Sequence, residues 1–218
     1  LQASADSNVI TYSPHPVNDG PVQWNKLTVP RGGQYQLVLP DGTRVWLNVA
    51  SEITYPVAFK GPAREVTVNG EAYFEIAQDA RHPFIIHVND TRINVLGTSV
   101  NIRNYESYTT TTLITGSVQV AYKETQVQLR PGFQAIANGT LQQRQVNTAA
   151  VLAWKNGYFS FENTSLKDVM EELSRWYDID IKYNGDVNSI KYDGEIQRNL
   201  RLTSILKQLE QPGLQFKF

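Results

Sequence analysis

The sequence predicts an all-β N-terminal domain, a sandwich or a solenoid-like stack of short strands, followed by a small α+β domain of order β-α-β-β-α-β. Three observations predict this. Short alternating runs fill the chain from Tyr35 to about Arg144, with turn residues roughly every 8–12 positions. No helix-period window of useful length interrupts them. Past Trp154 the apolar spacing changes, first to that of a helix and then back to alternation.

The strand region is organised around residues 37–48, Leu-Val-Leu-Pro-Asp-Gly-Thr-Arg-Val-Trp-Leu-Asn. Leu37, Leu39, Val45 and Leu47 recur at every second position and share one face of two short strands. Val38 and Trp46 are apolar on the opposite face, so both sides of the hairpin meet other structure. Between the strands, Pro40 ends the first, and Asp41-Gly42 supplies the positive φ angles of a tight turn. The hairpin is structural and carries no chemistry by itself.

Ahead of it, residues 1–25 are rich in Asp, Asn, Ser, Pro and Gly and lack periodicity, which predicts a tether into a domain spanning residues 26–150. Arg31-Gly32-Gly33 is read as a turn. No glycine fingerprint or Lys-Ser/Thr follows it, and a strand comes next where a phosphate cradle requires a helix. After the hairpin, strands are expected at 64–69, 71–77, 84–88, 92–96, 99–105, 109–115, 117–122, 125–129 and 133–137. Gly70, Gly97, Gly116 and Pro131-Gly132 punctuate them.

The second domain, residues 151–218, opens with Tyr158, Phe159 and Phe161 in a strand. Ser165 and Asp168 then fit a capping box. Leu166, Val169, Met170, Leu173, Trp176 and Tyr177 form one helical stripe. Ile179, Ile181 and Tyr183 alternate as a strand, and Asn184-Gly185 turns the chain into another at 190–196. Leu202, Ile205, Leu206 and Leu209 mark a second helix, which Pro212-Gly213 stops. Leu214, Phe216 and Phe218 begin a last strand.

Composition narrows the function. A chain of 218 residues can bury a core without staples. A net charge of −1 and a pI near 6.4 give no footprint for nucleic acid or an anionic membrane surface. With no cysteine there is no disulfide, thiolate metal site or cysteine nucleophile. No run approaches the ~18 apolar residues of a membrane span, and the N-terminus lacks a signal-peptide pattern.

Candidate chemistry is sparse. His15, His82 and His87 lack zinc-site spacing, and His87 reads as a strand residue. Glu71 and Glu75 share a strand face roughly 13 Å apart by strand rise, wider than the ~5–9.5 Å of glycosidase carboxyl pairs. They are read as a solvated face with Tyr73 between them. The aromatic content raises a carbohydrate-binding β module as an alternative. However, Trp46, Tyr73, Trp176 and Tyr177 fall within apolar patterns, leaving Trp24, Trp154 and Tyr192 less committed. No nucleophile elbow is present. The residues point to a protein-binding module with no catalytic, cofactor or metal site.

Three blocks together resemble the FecR family. Val29 to Tyr35 running into Leu37–Ser51 is similar to the opening of its periplasmic domain. Gly70-Glu-Ala-Tyr-Phe-Glu-Ile76, Pro83-Phe84 and Val95-Leu-Gly-Thr-Ser-Val-Asn-Ile102 are similar to its middle. Gly116-Ser-Val-Gln-Val120 and Leu129-Arg-Pro-Gly132 are similar to its end. Trp154-Lys-Asn-Gly-Tyr-Phe-Ser-Phe161, Leu166-Lys-Asp-Val-Met170 and Arg175-Trp-Tyr-Asp178 resemble the family's C-terminal module, which is related to the secretin/TonB short N-terminal fold.

The resemblance implies an anti-sigma factor that crosses the inner membrane once. This periplasmic part would receive a signal from the periplasmic signalling domain of a TonB-dependent transducer. A cytoplasmic segment and a transmembrane helix, both expected outside this sequence, would hold an extracytoplasmic-function sigma factor and anchor the protein; residues 1–25 would then lead from the membrane side. The family usually continues one strand past the position of Phe218, so the last module is expected to be trimmed or short.

Short strands leave an unpaired sheet edge to which a second sheet can add. The candidate edges are 190–196 and 214–218. The candidate partner-binding residues are Lys191, Tyr192, Asp193, Glu195, Gln215 and Lys217, the charges on 190–196 alternating with apolar neighbours to set register with a partner.

Overall fold

The computed structural model describes residues 2–3, 9–11, 21–95 and 97–217. The expectations resting on His15, Leu96, Phe218 and most of the N-terminal tether lie outside the described residues. The chain divides into two compact units, Leu1–Val151 and Leu152–Phe218.

The first unit contains β1 (Gln2–Ala3), β2 (Val9–Thr11), β3 (Trp24–Thr28), β4 (Tyr35–Val38), β5 (Arg44–Leu47) and β6 (Glu52–Pro56). These are followed by β7 (Arg64–Asn69), β8 (Glu71–Glu75), β9 (Phe84–Val88), β10 (Thr91–Val95) and β11 (Ser99–Arg103). It ends with β12 (Thr109–Thr115), β13 (Val118–Tyr122), β14 (Thr125–Leu129), β15 (Phe133–Asn138) and β16 (Thr140–Gln145).

Among the described residues they form two sheets, β1-β2-β4-β5-β8-β11-β12-β15-β16 and β14-β13-β10-β9-β7-β6-β3. All neighbours are antiparallel except β2 with β4 and β7 with β9. The chain crosses between sheets almost every two strands, so a sandwich is built by a winding path. Leu37, Leu47, Phe74 and Ile102 from one sheet and Ile53, Val66, Ile86 and Ile93 from the other meet in one core, each fully buried. The all-β expectation holds, and the architecture combines features of the sandwich and of the stack.

The hairpin around Asp41 forms with Leu37 opposite Val45, and Gly42 takes φ 85° in its turn. Strands β1, β2, β3, β6 and β16 were not among the expected ones; β1, β2 and the start of β3 lie in the stretch read as a tether, where β2 instead adds to the sheet beside β4.

The second unit is α+β. After α1 (Thr148–Leu152), a 3-10 turn at Ala153–Asn156 buries Trp154. Next come β17 (Tyr158–Ser165), α2 (Leu166–Tyr177), β18 (Lys191–Gln197) and α3 (Leu202–Leu209). Strands β17 and β18 pair antiparallel, and the two helices close a separate core on Phe159, Phe161, Leu166, Leu173, Ile205 and Leu209.

Two of its expected strands are not formed. Residues 179–183 alternate as the sequence predicts but carry no ladder, and 214–217 contribute only the isolated bridge of Gln211 to Leu214. Alternation records which side chains face a core; a strand also needs a neighbouring backbone, and neither segment has one among the described residues.

Candidate partner-docking surface

The paired carboxylates occupy separate environments. Glu71 is 4% exposed, which corrects its reading as part of a solvated face. It accepts hydrogen bonds from Asn48 Nδ2 at 2.8 Å, Asn101 Nδ2 at 3.2 Å and Arg103 at 3.4 Å, three of the roughly four that a carboxylate can accept. Glu75 instead pairs with Arg44 and accepts from the Tyr73 hydroxyl at 3.4 Å. The two carboxylates therefore do not converge as a glycosidase pair would.

Nor do Trp24, Tyr73 and Trp154 share one surface. Tyr73 is buried against Trp46, with ring centroids 5.5 Å apart. Trp154 is buried in the other unit, and Trp24 stands exposed on β3. The two described histidines sit in local pairs: His82 Nδ1 with Asp79 at 2.7 Å and His87 Nε2 with Glu65 at 3.1 Å. Among the described residues no three His, Asp or Glu side chains converge as a metal site, and no helix is long and apolar enough to cross a membrane.

The second unit carries the candidate surface, and local rules position it. Ser165 caps α2 by accepting from the Asp168 amide at 3.2 Å, while its hydroxyl donates to the Asp168 carboxylate at 2.6 Å. The cap ends β17 and turns Leu166 and Met170 inward. A bulge between Phe161 and Thr164 puts Asn163 at φ 49°, and Asp193 Oδ1 accepts from its amide at 2.7 Å.

The structure separates the six candidate residues into two groups. Lys191, Asp193 and Glu195 are exposed on β18, with Tyr192 between them turned toward the helices. The Tyr192 hydroxyl donates to Leu209 O at 2.6 Å, and burial raises its pKa. Gln215 and Lys217 instead line a groove of about 420 Å³.

That groove, which reasoning from sequence did not find, has Leu166 and Met170 among its lining, with Ile181, Leu214 and Phe216. Lys182, Tyr183 and Lys217 also line it. Tyr183 is 42% exposed, and its phenol is raised by burial first and then by Glu171 and Asp168. The alternation of 179–183 and of 214–217 supplies apolar residues of the groove, but nothing in the sequence brings the two runs together with the start of α2.

Two β layers followed by a small α+β unit are the architecture on which this groove is built. The comparisons specify the class. The family model for FecR protein matches residues 25–119, and the model for the FecR C-terminal region matches residues 158–218. The chain belongs to the FecR family and is a region of a FecR-type anti-sigma factor.

Two crystal structures, each of a Parabacteroides distasonis protein assigned as an anti-sigma factor, are similar to it, each at 30% identity. One superposes with a TM-score of 0.79 over 86% of this chain and 90% of that chain; the other gives 0.78 over 85% and 90%. No curated protein matches.

Proposed function

We propose that this chain is the periplasmic signal-receiving region of a single-pass inner-membrane anti-sigma factor. It relays occupancy of a TonB-dependent outer-membrane transducer to an extracytoplasmic-function sigma factor held by a cytoplasmic segment. The observation that carries the reading is the second unit: it has its own core, an unpaired strand edge and an apolar groove, all suited to a folded partner. The β unit, whose core is filled by interleaved Val, Ile, Leu and Phe, acts as the scaffold that presents it.

Titrating a transducer's periplasmic signalling domain into the full chain, with amide exchange mapped by residue, tests this. Protection concentrated in residues 152–218 is the expected result. Protection confined to the β unit contradicts the site assignment, and no binding overturns the function.

A further inference from the structure

Four Asn-Gly pairs occur in the chain: Asn69-Gly70, Asn138-Gly139, Asn156-Gly157 and Asn184-Gly185. Such a pair can modify itself. With no side chain on the glycine to shield it, the glycine nitrogen reaches the asparagine Cγ and closes a succinimide ring. The fold decides which pair has the freedom to do so.

Attack needs the glycine amide released and the asparagine side chain turned onto it. At Asn69-Gly70 both are held by Asn104, which is buried. The Gly70 amide donates to Asn104 Oδ1 at 2.5 Å, and Asn104 Nδ2 donates to Asn69 Oδ1 at 3.4 Å. Ser51 also packs where a Gly70 Cβ would sit, so this backbone has no room to rotate. At Asn156-Gly157 the glycine amide donates to Trp154 O at 3.3 Å, and the glycine carbonyl accepts from the Arg198 amide at 2.9 Å. Asn184 lines the groove with Leu214 and Phe216, so its freedom depends on what adjoins the end of this sequence.

Asn138-Gly139 differs from the two held pairs. It lies at the turn from β15 to β16, and Asn138, Gly139 and Thr140 are all exposed. Among the described residues, the Asn138 side chain and the Gly139 amide make no hydrogen bond. Gly139 has φ 64°, and an added Cβ there would meet nothing within 4 Å. The nucleophile is free, the side chain is free, and the backbone between them has space to turn.

We propose that Asn138-Gly139 is a self-modifying site, at which the chain gains a carboxylate and, by one of two routes, a longer backbone. Gly139 N bonds to Asn138 Cγ, and the side-chain nitrogen leaves as ammonia, taking up the Gly139 amide proton. Water then opens the imide. Cleavage at Cγ gives aspartate. Cleavage at the main-chain carbonyl gives isoaspartate, whose backbone runs through Cγ and is longer by a methylene. Strand β16 has only β15 as a ladder neighbour among the described residues, so the pairing beside the turn, Ala137 with Leu141, is what the longer backbone disturbs. Further along, Arg144 donates twice to Gln134 Oε1, at 3.2 and 3.0 Å, and holds that part of the strand. The site is independent of the signal-receiving reading.

The test ages the full chain at mildly alkaline pH, digests it at intervals and follows each asparagine by mass spectrometry, with isoaspartate identified by fragmentation. Asn138 is expected to convert about tenfold or more faster than Asn69 and Asn156, whose attacking nitrogens must first give up a hydrogen bond. In urea the three rates are expected to converge, because the contacts that hold two of the pairs are gone. Asn138→Gln, which lengthens the side chain at an exposed position, is expected to stop the conversion at this turn and leave the fold intact. The isoaspartyl form, separated from the parent by ion exchange, is expected to show faster amide exchange in 137–141 and unchanged exchange in 143–145. Conversion of Asn138 no faster than that of Asn69 and Asn156 in the folded chain overturns the proposal, and so does a rate order that survives in urea. Unchanged exchange at 137–141 in the isoaspartyl form keeps the site and overturns its effect on the ladder.

Discussion

Arg64 donates to Asp41 Oδ2 at 2.6 Å, an ion pair that joins the two β sheets. Asp41 lies in the turn between β4 and β5 of one sheet, and Arg64 opens β7 of the other. The same guanidinium donates to Ala77 O at 2.8 Å and His82 O at 2.9 Å, and packs 5.2 Å from the Phe84 ring. Thr43 donates its hydroxyl to Asp41 at 2.7 Å and accepts from the Ala77 amide at 3.1 Å. The turn of the hairpin, read from sequence as local geometry alone, is also a clamp across the sandwich.

Both side chains are nearly dry, 4% and 12% exposed, so removing one leaves the other's charge buried without its counter-charge. Asp41→Ala is expected to destabilise the β unit by about 3–5 kcal/mol, measured by urea denaturation. The double variant Asp41→Leu/Arg64→Met is expected to lose less than the sum of the two single changes. A loss under about 1 kcal/mol for Asp41→Ala would show that solvent already screens the pair.

Gly70 and Gly42 separate two reasons for glycine. Both have positive φ, 90° and 85°. At Gly42 an added Cβ meets nothing within 4 Å, so Gly42→Ala bears only the backbone cost of about 1–2 kcal/mol. At Gly70 the same atom would lie 2.4 Å from Ser51 Oγ and 2.7 Å from Ser51 Cα, the latter backbone that cannot rotate away. Ser51 also donates to Val49 O and accepts from the Glu71 amide, so a shift there disturbs the buried polar cluster around Glu71. Gly70→Ala is therefore expected to cost about 2–5 kcal/mol. Paired thermal melts of the two variants check the difference, and equal losses would remove the steric argument.

These contacts mark where the sequence stopped being informative. Leu37, Leu39, Val45 and Leu47 announce a buried face through their spacing, and all are buried in the structure. Edge strands β3 and β16 lack that signal because an edge buries little: Thr140–Gln145 reads Thr-Leu-Gln-Gln-Arg-Gln and is nearly all exposed. Its ladder to β15 defines it, and ladders leave no trace in hydrophobic pattern. In the second unit the pattern over-predicts for the converse reason, since Ile181 and Phe216 face apolar groups without a paired backbone. Of the candidate surface, the charges on β18 were legible. The groove was not, because it needs the helix start at Leu166 brought beside the chain end.

Asp79 supplies a titration that can be followed directly. Its carboxylate accepts from the His82 ring at 2.7 Å and from the Arg81 and His82 amides, which hold its pKa down to about 2. A carboxylate depressed in this way contributes stability in full above its ordinary pKa of 3.8, and loses it as pH falls through about 2. Carboxyl chemical shifts followed against pH are expected to give a midpoint near 2 in the parent chain. His82→Ala removes the largest cause and is expected to move the midpoint upward. An unchanged midpoint would assign the shift to the two backbone amides alone.

Arg198 organises the second unit in the way Arg64 organises the first, but through aromatic rings. It is 3% exposed, and its Cζ lies 4.6 Å from the Phe159 centroid and 4.9 Å from that of Trp176. Its Nε donates to Tyr158 O at 3.0 Å, its terminal nitrogen donates to Glu172 at 2.6 Å, and its carbonyl accepts from the Trp176 indole at 3.0 Å. One residue thus joins β17 and α2 at the end of β18. A lysine keeps the charge but loses the flat stack and the forked donors, so Arg198→Lys is not a conservative change here. It is expected to destabilise the unit by about 1–3 kcal/mol, read as faster amide exchange in β17 and α2 with no change in the β unit. Because Trp176 reports on the same contact, its fluorescence is expected to shift in step with that exchange. Loss of protection across the β strands as well would mean that the two units unfold as one, and the local account of Arg198 would fail.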